Sequence, residues 1–129
     1  MKRLGFNARG IECKSGQWRI GFYSEKTEGV QVNPKKKVIK EMSFIDGVEV
    51  KQETCGRFSF VYDRNGCPVF EGDVIEWKMT NGTLLRGVVR YHASCASFFI
   101  FTKVGTRFLT NRRGIVIGNV IDNPKLMDL

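Results

Sequence analysis

Turn signals interrupt this chain so often that no long helix fits between them. Asp46-Gly47, Asn65-Gly66 and Asn81-Gly82 each separate short runs rich in Val, Ile, Phe and Tyr. Glycine in such dipeptides supplies the positive φ that a tight hairpin demands. No stretch carries an apolar stripe of 3.6-residue period over three turns, and the runs alternate with period two instead. GRFSFVYD (56–63) places Phe58, Phe60 and Tyr62 on one face, with Arg57, Ser59 and Val61 on the other. VIEWKM (74–79) sets Val74, Glu76 and Lys78 against Ile75, Trp77 and Met79.

Further strands are predicted at 11–13, 17–23, 30–33, 38–45 and 48–52, and then at 83–93, 97–104, 106–110 and 114–122. Lys14-Ser15-Gly16 and Asn33-Pro34 are further turn signals. The tail, Asn123-Pro124 followed by KLMDL, reads as a cap with proline at the first helical position, hence a short C-terminal helical turn. The fold expected is mainly β: a small antiparallel barrel-like domain over 1–129. It has N-terminal hairpins at 6–53, the barrel-like part at 54–122 and the helical turn at 123–129. At 129 residues, one domain with a real core is the default.

The chemistry is sparse. Cys13, Cys55, Cys67 and Cys95 form no C-x-x-C pair, and His92 is the single histidine. The paired spacing of a zinc site is absent, so no metal and no cofactor are expected, and the cysteines read as small, mostly buried, reduced residues. Glu71 and Asp73 flank Gly72 and tempt a two-carboxylate reading. With no histidine or third acid nearby, they read instead as turn-makers at a β corner. His92 and Cys95 lack an orienting partner, and no catalytic residue is assigned.

The formal net charge is +8, a field that draws polyanions. The cations fall into three groups: Lys35, Lys36, Lys37 and Lys40; Arg86 and Arg90; Arg112 and Arg113. Arg86 and Arg90, four apart on a strand, share a face. Trp18, Tyr23, Trp77 and Tyr91 would stack on bases where exposed. No secretory signal and no apolar run of membrane length is present, so a cytosolic protein is expected.

Three segments together resemble the YopX family, proteins encoded mainly by phages and prophage-like elements. FNARGIECKSGQWRIGFYS (6–24) resembles the family's opening, and TCGRFSFVYDRNGCPVFEGDVIE (54–76) its centre, with a D-x-N-G turn followed by [IV]-[FY]-E-G-D-[IV]. VIGNVIDNPKL (116–126) resembles its ending. Where the family often reads T-G-L ahead of the turn, this chain has Ser59-Phe60-Val61, and Cys67-Pro68 replaces the usual Lys or Gly after it. The resemblance implies a mainly β, small-barrel fold, a tendency to self-associate and a bacterial host cytoplasm. It implies no reaction. Gly66, Gly72, Asp73, Gly118, Asn119, Asn123 and Pro124 are its motif residues, and they read as structural. The leading expectation is a non-enzymatic oligomeric scaffold or adaptor that meets another copy, or a protein adding a strand at an exposed edge. A nucleic-acid-binding module using the basic groups is the alternative. A carboxylate enzyme is a distant third.

Overall fold

A computed structural model describes residues 5–127. It is mainly β, with a curled antiparallel half-barrel sheet and no long helix. The chain divides into two compact units between Arg57 and Phe58.

In the first unit, β1 (Ala8–Ile11) pairs antiparallel with β2 (Trp18–Gly21). β3 (Tyr23–Asn33) and β4 (Lys36–Ile45) form a long hairpin, and β5 (Val48–Val50) returns along the base of β4. Asp46 and Gly47 both take positive φ, 49° and 79°, the geometry of a two-residue turn between right-twisted strands. Asp46 does a second job, its Oδ1 accepting the Phe22 amide at 2.9 Å. A 3-10 turn (Gln52–Thr54) follows, and the Thr54 hydroxyl accepts the Ile11 amide at 2.8 Å. The small core is Ala8, Ile45 and Val50, with Tyr23 and Cys55 against it. Burial pushes the Cys55 thiol up.

β6 (Gly56–Tyr62) begins in the first unit, where Gly56 and Arg57 face β1. Its remainder pairs with β7 (Pro68–Phe70) in the second unit. The second unit also holds β8 (Asp73–Lys78), β9 (Leu84–His92), β10 (Ser97–Thr102), β11 (Gly105–Phe108) and β12 (Ile115–Asn119). Its five-stranded sheet has the order β11-β10-β9-β8-β12. Val69, Ile75, Trp77, Val89 and Ile100 make the core, flanked by Val61, Leu85, Phe98 and Val116. Ile75, Trp77, Val89 and Ile100 lie on one face because the register keeps the period of two unbroken across β8, β9 and β10.

Three expectations are corrected, and a fourth holds only in part. Phe60 keeps its ring against Phe58, centroids 5.0 Å apart, but its φ is +64° and it is 65% exposed, against 2% for Phe58. The ladder slips between Phe58 and Tyr62, as a bulge requires. A phenylalanine here holds a left-handed conformation that glycine adopts more readily. Cys13, Cys67 and Cys95 are exposed rather than buried. Residues 24–29, given no strand by alternation, belong to an uninterrupted 11-residue β3. Among the described residues, Asn123 caps no helix. Its Oδ1 faces back to the Asn119 amide at 3.4 Å, and residues 124–127 form a turn in which the Leu126 amide donates to the Asn123 carbonyl. Residues 128–129 of the expected helical turn lie outside the described residues.

Candidate functional site

The Glu71-Gly72-Asp73 corner is an anchored piece of backbone. Asp73 is 1% exposed, and its Oδ2 accepts the Phe70 amide at 2.7 Å. Gly72 takes φ +93°, donates to the Val89 carbonyl and accepts from the Val120 amide. The corner thereby ties β7, β9 and the segment after β12. Among the described residues, no group of three or more His, Cys, Asp or Glu side chains is placed to hold a metal ion.

A different acid organises the more suggestive place. Asp63 is 1% exposed. Its Oδ1 accepts the Asn65 and Cys67 amides at 2.9 and 2.8 Å, and its Oδ2 accepts the Val116 amide at 3.0 Å. The same carboxylate therefore closes the Asn65-Gly66 turn and grips the start of β12. Backbone bonds extend the clamp: the Arg64 amide donates to Gly114, and the Arg112 amide to Tyr62 at 2.7 Å. The Tyr62 amide donates to Asn111 Oδ1 at 3.0 Å. Arg112 is held at φ +65°, a conformation that a non-glycine residue keeps only where its surroundings impose it.

These two locked turns present a groove of about 690 Å³ whose rim carries Arg64, Lys78, Arg112 and Arg113. Trp77 forms part of the wall, and the Arg113 guanidinium lies 5.5 Å from its ring centroid, a cation–π contact. Met79, Leu84 and Ile115 add apolar surface. Glu76 is the one acid of the lining, and Arg86 Nε already binds it at 2.6 Å. Among the described residues no carboxylate pairs with any of the four rim cations. The result is concentrated, uncompensated positive charge on a fixed frame.

The structure brings Arg112 and Arg113 together there and adds Arg64 and Lys78, which sequence reading had not grouped with them. Arg64 had a signal, since it sits inside the D-x-N-G turn; Lys78 had none. Arg86 and Arg90 do share a face of β9, but Arg86 is spent on Glu76 and on the Leu126 carbonyl. Arg90 runs beside Gly72. Lys35, Lys36, Lys37 and Lys40 lie in the first unit, at the far end of the β3–β4 hairpin. Gly118 follows a bulge in β12, and a side chain there would meet Asn123 and Leu126. Asn119 Oδ1 accepts the Ile121 and Asp122 amides, and Pro124 lies in the final turn. His92 Nδ1 bonds Ser94 Oγ at 2.7 Å rather than Cys95. Trp18 lies under Arg9. Tyr91 packs on Phe98, and Tyr23 bonds Ser43 and Glu25.

The family model described as YopX protein matches residues 13–128. The chain belongs to the YopX family. The matched span contains both turns of the groove, the Glu-Gly-Asp corner and the whole β3–β4 hairpin of this YopX chain. No curated protein matches it. No helix among the described residues is long and apolar enough to cross a membrane.

Proposed function

We propose that this YopX protein is a non-enzymatic nucleic-acid-binding module that grips the phosphate backbone in the Arg64–Lys78–Arg112–Arg113 groove. One observation carries the reading: four cations without acidic partners among the described residues converge on a frame fixed by buried Asp63. Arginine's planar fork matches phosphate oxygens, and fixing the turns beforehand lowers the ordering cost of binding. The phage or prophage setting that the family resemblance implies, and a cytoplasmic location, are part of the same proposal.

Fluorescence anisotropy with labelled oligonucleotides across a salt series tests it. The triple variant Arg64→Ala/Arg112→Ala/Arg113→Ala is expected to bind all sequences more weakly and to lower the log–log salt slope by about 2–3. An unchanged slope in a folded triple variant would rule the groove out.

A second reading, the homo-oligomeric scaffold or adaptor, is favoured by the sheet edge. β11 is an outer strand, and on it Phe108 is 72% exposed beside Phe99, with ring centroids 5.4 Å apart. An apolar residue on an open edge suits strand addition by another copy. In that case light scattering after size exclusion should show an assembly that Phe108→Glu reduces to monomers. A wild-type monomer at high concentration would end this reading.

A further inference from the structure

The β3–β4 hairpin is unusual for a small domain. β3 is exposed from Ser24 to Asn33 and β4 from Lys36 to Glu41, so its outer part has two solvated faces. Eleven residues in β3 at roughly 3.4 Å each make an arm of about 35 Å. A ribbon of two strands is marginal alone in water. This one also exposes Val32 and Ile39, the latter at 72%. Its charge is polarised. Residues 29–40 hold Lys35, Lys36, Lys37 and Lys40 and no acid, whereas 23–28 and 41–45 hold Glu25, Glu28 and Glu41 against Lys26.

We infer that this arm is a second nucleic-acid contact, separate from the groove, which lies along a duplex and binds its phosphates without reading sequence. The chemistry selects a duplex over a single strand. Residues 24–43 contain no Phe, Tyr, Trp or His, so the ribbon has nothing on which unpaired bases would stack. A two-stranded ribbon is narrow enough for the duplex major groove, where lysines reach the phosphates on either side.

The absence of readout has the same kind of support. The stretch contains no arginine, the residue best suited to bidentate recognition of guanine. Its two amide side chains hold the tip instead: Gln31 Nε2 donates to the Asn33 carbonyl, and Asn33 Oδ1 accepts the Lys35 amide. Lys37 lies across Gly29, where a larger residue would collide with it. Lys36 and Lys37, adjacent on β4, project to opposite faces of the ribbon. Lys40 stands opposite Glu28, so Lys35, Lys36 and Lys37 carry most of the effect.

The test compares the full chain with Lys35→Ala/Lys36→Ala/Lys37→Ala and with the groove triple variant. The probes are short fluorescein-labelled duplexes of unrelated sequence and their separated strands. The lysines are exposed, so the variant is expected to unfold at the wild-type temperature. Its duplex affinity should fall on the order of 100-fold at 0.1 M salt, alike for all sequences, with the salt slope reduced by about 3. Single-strand affinity should change far less. Wild-type duplex binding in the lysine variant overturns the arm and leaves the groove standing. Loss in the lysine variant with full binding in the groove variant supports the arm and removes the groove. Equal losses for duplex and single strand, or a loss confined to one sequence, also overturn the inference. No binding by the wild-type chain at low salt overturns both sites.

Discussion

Asp63→Ala should lower stability by about 3 kcal/mol, and it should also weaken oligonucleotide binding. The carboxylate receives three backbone amides, each a charge-assisted bond worth ~1.5–3 kcal/mol when its donor has no substitute. The full sum is not expected. Asn65 and Cys67 are exposed, so water replaces the carboxylate at their amides once the side chain is gone. The Val116 amide, half-buried in β12, is the partner that stays poorly served. Asp63→Asn sharpens the point. The amide oxygen can keep the Asn65 and Cys67 bonds, but its NH2 then meets the Val116 N–H, donor against donor. That variant should lose about 1–2 kcal/mol.

The binding result separates charge from geometry. Asp63→Asn raises the formal net charge from +8 by one, which by charge alone would strengthen polyanion binding. Loosening the frame under Arg64 and Arg112 should weaken it. Urea denaturation and anisotropy on the same samples decide between them. Stability within about 0.5 kcal/mol of wild type in Asp63→Ala would remove the clamp from the account.

Gly114→Ala should be as damaging, for a steric reason. Gly114 holds φ +74°, and an added Cβ would sit 2.7 Å from Ile75 Cγ2 and 2.9 Å from the Glu76 carbonyl oxygen. The second contact is with strand backbone and cannot rotate away. Left-handed strain of about 1 kcal/mol and overpacking of ~1–3 kcal/mol add to about 3 kcal/mol. For a chain of this size the midpoint should drop by roughly 10 °C. Gly66→Ala is the matched control. Its φ is also positive, at +81°, but the nearest atom belongs to the movable Arg112 guanidinium at 3.6 Å. It should cost only the conformational strain, about 1 kcal/mol. Equal effects at the two glycines in thermal melts would refute the packing argument.

The half-barrel was legible because its strands are half-buried. VIEWKM alternates since one face meets the core, and Asn-Gly and Asp-Gly mark where glycine must turn positive. The arm was only half legible, and the reason is physical. SEKTEG (24–29) faces water on both sides, so no burial imposes a period of two. Phe60 stays against the Phe58 ring, but its exposure was not legible, because a left-handed residue and a ladder slip inside a strand leave the composition unchanged. The groove was the least visible. Arg112-Arg113 stood out as a pair, but Arg64 and Lys78 join them only through the Arg64–Gly114 bond and the antiparallel pairing of β8 with β12. Those pairings link positions far apart in the chain, and local pattern carries no record of them.

The bond from Asp63 to Val116 spans 53 positions, and this separation bears on the order of folding. Closing so long a loop is entropically costly and comes late unless nearer contacts have already gathered the strands. During synthesis, the hairpins of β8, β9 and β10 can form before β12 has emerged. Arg64 would by then be in place on its turn, with neither Arg112 nor Arg113 facing it. The groove matures only with β12, so a chain that has not yet extended that far exposes its sheet without acquiring the grip.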